Sequence, residues 1–262
     1  MNAAARRIHP TALVEAGARV AIDVEVGPYA AIGPEVTIAA GCRIGPHAVI
    51  TGNTSIGANC GIWQFASIGD APQDRKYSGE PTRLEIGANN TIREFCTLNR
   101  GTVQGGGVTR IGDDNWIMAY VHIAHDCQVG DRTVFANNAQ LAGHVVVGDD
   151  AILGGFTVVH QFCRIGAHSI TGMGTIVLQD IPPYVKASGN PARPYGINSE
   201  GMQRRGFAPE VLAAAKRAYR TLYRSALSLD EAKQALATQV QDTPELTGLL
   251  EFVAAPGRGI IR

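Results

Sequence analysis

The chain has 262 residues, 31 of them glycine, and a formal net charge of zero, a length that suits one or two domains. A neutral chain has no global field to draw in nucleic acid or an anionic membrane, so any acidic partner must be met by a local basic patch. Charged residues make up 18%, below the roughly 25% of ordinary globular chains, which points to outer surface covered by another subunit. No apolar run approaches the roughly 18 residues of a membrane span, and the N-terminus lacks the apolar core of a signal peptide, so a cytoplasmic protein is expected.

From Ile8 an aliphatic residue falls on every sixth position through Val14, Val20, Val26, Ile32, Ile38, Ile44, Ile50, Ile56, Ile62 and Ile68. Period six is neither a helix nor a plain strand pattern. One hexad buries only one large side chain, so coils must stack to make a continuous core. Three hexads close a triangular coil, and residues eighteen apart then lie on neighbouring rungs about 4.8 Å apart. The expected fold is mainly β, a parallel β-helix over residues 1–190 with excursion loops at 69–85 and 99–110, followed by an α-helical domain over 191–262. His9 and His47 have no polar cluster in coil register and are read as scaffold. Cys42, Cys60, Cys96, Cys127 and Cys163 all take the fifth place of a hexad, where other coils carry Ala, Val, Thr or Ser. They read as small core residues, with no disulfide or metal set among them.

The register breaks after Ile68 and resumes at Ile86. The intervening Gln73, Asp74, Lys76 and Tyr77 suit a sugar or nucleotide, and loops thrown from a rigid scaffold are where binding residues gather. A second break, Gly101 to Arg110, contains Gly105-Gly106-Gly107. It lacks the strand-to-helix setting and Lys-Ser/Thr ending of a phosphate cradle, so a nucleoside triphosphate site is rejected.

Hexads return from Ile111 to Val177 with one lapse at Thr171, and this stretch holds His122, His125, His144 and His160. Stacking by eighteen sets Gly143 above His125, Gln161 above Gly143 and His144 above Asp126. A neutral imidazole beside a carboxylate can take a proton from a hydroxyl at cellular pH. The Gly143 N–H, with no side chain in the way, can donate to the oxyanion formed when a carbonyl is attacked. The set suits direct acyl transfer to an alcohol. Three imidazoles can also bind zinc, as in β-helical carbonic anhydrases, and this remains an alternative.

Beyond Val177 the pattern fades through Asp180-Ile181-Pro182-Pro183, since proline lacks a ladder donor. Helices follow: one from Pro209 with Val211, Leu212, Ala215, Ala218, Tyr219 and Leu222 on one face, one opened by a Ser228/Glu231 capping box, and one after Thr243-Pro244. They would cap the open end of the coil. Lys216, Arg217, Arg220 and Arg224 follow helical spacing on the first, either as a solvated face or as a dock for an acidic partner.

Ile123-Ala124-His125-Asp126-Cys127, Asn137-Asn138 with Leu141-Ala142-Gly143-His144, Val159-His160-Gln161-Phe162-Cys163, Asp180-Ile181-Pro182-Pro183-Tyr184-Val185 and Gly201-Met202-Gln203-Arg204-Arg205-Gly206-Phe207 closely resemble the acyl-carrier-protein-dependent UDP-N-acetylglucosamine O-acyltransferases, over almost the whole chain. The resemblance implies a left-handed coil, against the general right-handed preference, and a homotrimer with sites between subunits. It implies transfer of a 3-hydroxyacyl chain from acyl carrier protein to the glucosamine 3-hydroxyl of UDP-N-acetylglucosamine, the first step of lipid A synthesis. A hexapeptide N-acyltransferase is the related alternative, though that relative carries an added N-terminal domain with no counterpart before Ile8.

By the same resemblance His125 is the base, Asp126 its support and Gly143 the oxyanion donor. Gln73, Asp74, Lys76, His122, His144, His160 and Gln161 contact substrate. Asn198, Glu200, Arg204 and Arg205 contact the nucleotide, the arginines suiting diphosphate oxygens. Carrier proteins are acidic, so the basic row Lys216, Arg217, Arg220 and Arg224, read above from its helical spacing, is expected to dock the carrier protein unless it is a solvated face. No metal or resident cofactor is implied. The position of Met173 closes the acyl groove, where Gly admits longer chains, so a donor of about ten to twelve carbons is expected over one of fourteen. Asn99 departs from the family, which commonly carries His there.

Overall fold

A computed structural model describes residues 7–262. The chain winds as a left-handed parallel β-helix with three faces. Sheet 1 has nine strands, from Leu13–Val14 to Ile176–Val177; sheet 2 has eight, from Arg19–Val20 to Arg164–Ile165; sheet 3 has ten, from Glu25–Val26 to Arg193–Ile197. The rungs keep the eighteen-residue register, as in His122↔Gln140 and Gln140↔Val158. The first residue of each hexad points inward, and Ile32, Ile50, Ile68, Leu98, Ile123, Leu141 and Val159 form one dry column. All five cysteines are free and buried in this core.

Most corners are turned three residues after the inward aliphatic by a residue with φ near +60°, such as Tyr29 (58°), His47 (57°), Asp126 (62°) and His144 (63°). Such a conformation costs a non-glycine residue of order 1–3 kcal/mol. It persists here because ladder hydrogen bonds fix the chain on both sides of every corner.

The two excursions are set by strand pairing. Ile86 lies opposite Ile56 and Ile111 opposite Ile86, wider steps than the regular eighteen. Strands Ser67–Asp70, Arg83–Ile86, Thr97–Asn99 and Val108–Ile111 reach into the expected loops, which leaves 71–82 and 100–107 outside the ladder. Both excursions pass from sheet 1 to sheet 2, so both emerge at the same corner.

The coil does not stop at Val177. Ile181 bridges to Ile165 and Val185–Ser188 pairs with Ile170–Thr171, so Ile181, Val185 and Ala187 fill one more rung. Elsewhere the residue after the inward aliphatic donates its N–H one rung upward, as Gly148 does to Ile165 and Gly166 to Ile181. Pro182, next after Ile181, has no N–H to give, and on sheet 2 the step above Asp180 is made by the C-terminal residues. Residue 190 lies in the turn between Val185–Ser188 and Arg193–Ile197, which pair antiparallel.

Four helices follow: α1 (Ser199–Arg204), α2 (Pro209–Tyr223), α3 (Leu229–Asp242) and α4 (Thr247–Ala254). Pro209 opens α2, and the Ser228/Glu231 capping box opens α3. Thr243-Pro244 begins a single 3-10 turn that runs into α4; α1 has no counterpart in the sequence reading. Leu212, Leu222, Leu236, Leu249 and Val253 make a second core. The last rung is covered on one side by the C-terminus, where Asp180 N–H donates to Gly259 and Ile261 N–H to Asp180. Buried Asp180 also takes both the backbone and side chain of Arg164, which stacks on Phe252 of α4. No helix among the described residues is long and apolar enough to cross a membrane.

The outer rows differ between faces. Sheet 2 shows Arg19, Thr37, Ser55, Glu85, Arg110, Gln128, Val146 and Arg164, half of them charged, with Glu85 paired to Arg83 and Arg110. Sheet 1 shows Leu13, Ala31, Val49, Ser67, Thr97, His122, Gln140, Val158 and Ile176, and the upper half of sheet 3 shows Trp116, Val134, Ile152 and Ile170. At the corner between sheets 3 and 1, Tyr29, His47, Phe65, Phe95 and Tyr120 stack ring on ring at 4.8–5.2 Å.

Candidate active site

At the corner between sheets 1 and 2 the ladder places His125, Gly143 and Gln161 on successive rungs, with Asp126, His144 and Phe162 beside them. The backbone ties these rungs directly, His144 N–H to His125 C=O and Phe162 N–H to Gly143 C=O. Both excursions lean over this corner. Together they close a cleft of about 740 Å³ lined by Gln73, Asp74, Arg75, Lys76, Thr102, Gln104, His125, His144, Gln161 and Phe162.

Within the cleft the imidazole of His125 donates from Nδ1 to Asp126 Oδ2 at 2.7 Å. That tautomer leaves Nε2 with a free lone pair. Asp126 is 4% exposed, and its two oxygens also accept from the Thr102 N–H (2.8 Å) and hydroxyl (2.6 Å). Burial alone would raise the Asp126 carboxyl; the donors His125 and Thr102 outweigh it and hold the group below the ordinary carboxylate value. It is therefore ionised at neutral pH. Gly143, one rung above, lies against the ring of His125: a Cβ there would come within 2.5 Å of Cε1, so the position admits no side chain. Among the described residues its N–H has no hydrogen-bond acceptor.

His144 stacks on Phe162 at 4.4 Å and meets His125 edge-on at 5.2 Å. Burial lowers its pKa despite Asp126, whose Oδ2 is 3.7 Å from its Nε2. His122 stands on sheet 1, outside the cleft lining, with Nδ1 2.7 Å from Thr97 Oγ1, and burial lowers its pKa too. His160 contacts its own neighbour, the Gln161 carbonyl. Asn99 donates to Ala71 C=O at 3.1 Å and Arg100 to Gly69 C=O and the Tyr77 hydroxyl, so this pair anchors the first excursion to the coil.

Ligand atoms of His125, Asp126 and His144 all fall within 4.8 Å of one another. Two ligands of a tetrahedral zinc stand about 3.3 Å apart, given bonds of about 2.0 Å. The 2.7 Å between His125 and Asp126 is a hydrogen-bond spacing instead. The donors on Asp126 form a proton-orienting chain, and the geometry favours acid–base chemistry over metal binding.

The remaining expected residues lie elsewhere on the chain. Asn198, Glu200, Arg204 and Arg205 flank the corner between sheets 2 and 3, where Arg205 pairs with buried Asp150 at 2.9 Å. Asn198 caps α1 by accepting from Gly201 N–H and donates to His168 C=O at 2.9 Å. Met173 sits at the corner between sheets 3 and 1 and is 78% exposed. Lys216, Arg217 and Arg220 are exposed on α2, and Arg224, also exposed, is its C-cap residue. A groove of about 570 Å³ on sheet 3 is lined by Glu25, Arg43 and Trp63 among others; Glu25 there is paired with Arg7 and Arg43, and no acid–base dyad faces it. Thr102, Gln104, Arg75 and Phe162 escaped the sequence reading. The register break at Gly101 was the signal for the first two, since it put unpaired chain next to His125.

Two family profiles match the chain: "Udp N-acetylglucosamine O-acyltransferase; Domain 2" over residues 180–261 and "Bacterial transferase hexapeptide (six repeats)" over 17–52 and 109–143. The acyl-[acyl-carrier-protein]--UDP-N-acetylglucosamine O-acyltransferase of Thiobacillus denitrificans is 63% identical over 97% of this chain and 99% of its own, and that of Janthinobacterium sp. is 60% identical over 97% and 99%. Among solved structures, UDP-N-acetylglucosamine O-acyltransferase from Moraxella catarrhalis superposes with a TM-score of 0.95 at 46% identity, covering 98% of this chain and all of that one (100%). The Francisella novicida enzyme gives 0.96 at 40% identity, covering 97% and 94%. With full-length identity far above what chance allows and one shared fold from first coil to last helix, the chain belongs to the acyl-[acyl-carrier-protein]--UDP-N-acetylglucosamine O-acyltransferase family.

Proposed function

We propose that this chain transfers a 3-hydroxyacyl group from acyl carrier protein to the glucosamine 3-hydroxyl of UDP-N-acetylglucosamine, the reaction that opens lipid A synthesis. The observation that carries the reading is the His125–Asp126 pair with the unspent N–H of Gly143 one rung above it. Nε2 of His125 takes the proton of the hydroxyl as its oxygen attacks the thioester carbonyl. The Gly143 N–H donates to the oxyanion. Collapse expels the carrier thiolate, which recovers the proton from the imidazolium. All five cysteines are sealed in the prism, which supports direct transfer without an acyl-enzyme, and the route asks for no resident cofactor.

The site is built between copies. The dyad lies at the corner of sheets 1 and 2, while Asn198, Glu200, Arg204 and Arg205 lie at that of sheets 2 and 3. A cyclic trimer brings these two corners together when sheet 1 of one copy packs on sheet 3 of the next. The uncharged outer row of sheet 1 and the apolar upper row of sheet 3 fit that packing, while the charged row of sheet 2 suits solvent. The ladder from Tyr29 to Tyr120, with Phe65 49% and Phe95 41% exposed in the single chain, then lines the three-fold axis. UDP-sugar lies in the resulting cleft, and the exposed arginines of α1 and α2 meet diphosphate and acidic carrier protein respectively.

The test is a transfer assay with UDP-N-acetylglucosamine and a panel of 3-hydroxyacyl carrier proteins, read by mass spectrometry. A product heavier by the acyl group is expected. No transfer from any donor contradicts the reading.

A further inference from the structure

The glycine-rich excursion 100–107 is too short for a lid and carries no phosphate-cradle signature, yet it is folded around one side chain. A 3-10 turn, Val103–Gly105, is capped by Thr102, whose hydroxyl accepts the Gly105 N–H at 3.2 Å. With its lone pair so engaged, the hydroxyl proton points to Asp126 Oδ2 at 2.6 Å, while the Thr102 backbone N–H holds Oδ1 at 2.8 Å. From the other side, Thr109 Oγ1 accepts the Asp126 N–H at 2.8 Å. Gly105 leaves the room this needs: a Cβ there would fall 2.0 Å from Asp126 Cγ. Gly106 and Gly107, at φ of 93° and 78°, turn the chain back to the ladder.

We propose that Thr102 is a positioning residue, and that the excursion serves as a cradle fixing the Asp126 carboxylate so that its Oδ2 keeps the His125 proton on Nδ1. The inference rests on the reading of His125 as general base. Thr102 touches no reacting atom. It acts by denying the carboxylate the freedom to rotate away from the imidazole, and a base misplaced by about 1 Å can lose on the order of a hundredfold in rate.

The experiment is steady-state kinetics on the full-length chain with UDP-N-acetylglucosamine and 3-hydroxyacyl carrier protein, for Thr102→Val, Thr102→Ser, Gly105→Ala, Asp126→Asn, the Thr102→Val/Asp126→Asn double variant and His125→Ala. Thr102→Val is expected to lower kcat by about ten- to a hundredfold while KM for the UDP-sugar moves less than about threefold. Thr102→Ser, which keeps the donor, restores kcat. On the Asp126→Asn background the Thr102 change is expected to cost little more, because both act through one contact. An unchanged kcat in Thr102→Val, or the same fractional loss with and without Asp126, overturns the proposal. Should Thr102→Val fail to fold, Gly105→Ala decides: its methyl displaces the carboxylate without removing a hydrogen-bonding group, and full kcat there is equally fatal. Activity surviving in His125→Ala instead removes the general base itself, and is read separately from the Thr102 result.

Discussion

His47 and His144 hold the same place in the repeat. Each turns a corner at positive φ, 57° and 63°, and each lies flat on an aromatic ring, His47 between Tyr29 and Phe65 and His144 on Phe162. What separates them is the rung below. Under His47 is another ring; under His144 is Asp126, with His125 beside it. A corner of this coil is thus a neutral support, and the eighteen-residue offset decides whether it stacks rings for packing or gathers proton donors and acceptors for chemistry.

The comparison breaks most visibly at His125. His125→Ala is expected to cut turnover by a factor on the order of a hundred or more while the assembly stays intact; near-normal turnover in an intact assembly would sink the account. Next in size is Met173, which belongs to the ring-stacking corner but is 78% exposed above it. Met173→Gly should shift donor preference toward longer acyl chains, by about ten- to two-hundredfold per accommodated methylene. A parent already preferring fourteen carbons, or a variant whose preference stays put, removes Met173 from that role.

Reversal of Lys216 and Arg220 to Glu on α2 should raise KM for acyl carrier protein by about tenfold at low salt and leave that for the UDP-sugar unchanged. An unchanged carrier KM assigns the patch to solvent. The smallest effect is expected at the other histidine. His47→Ala forfeits two stacked contacts, worth about 0.5–1.5 kcal/mol each, and should lower the melting temperature with kcat within about twofold of the parent. A loss of kcat comparable to that of His125→Ala would erase the distinction between the two corners.

Much of this was legible in the chain itself. The aliphatic hexads specify the coil because each buries one side chain, and arithmetic by eighteen is enough to set Gly143 over His125. The parts that escaped lie off that lattice. Thr102 reaches Asp126 across 24 residues, a spacing that only the folded excursion creates. The last rung was hidden by Pro182 and Pro183, which break ladders in general but here follow Ile181 at the end of sheet 2, where the C-terminal residues bridge back to Asp180. Helix α1 is six residues long, too short for a periodic pattern to announce it. The distance between His125 and Arg205 lies off the lattice too: the resemblance assigned both to one site between subunits, and the fold puts them at different corners of one chain.

That separation supplies the most direct test. His125→Ala and Arg205→Glu chains, each expected to be inactive alone, are co-expressed with different tags, and the doubly tagged assembly is purified and assayed. If each site takes His125 from one copy and Arg205 from the next, every doubly tagged cyclic trimer holds one intact site in three, and activity should return to about a third of the parent. If mixed assemblies remain as inactive as either variant, both halves of the site belong to one chain and the placement between copies is wrong.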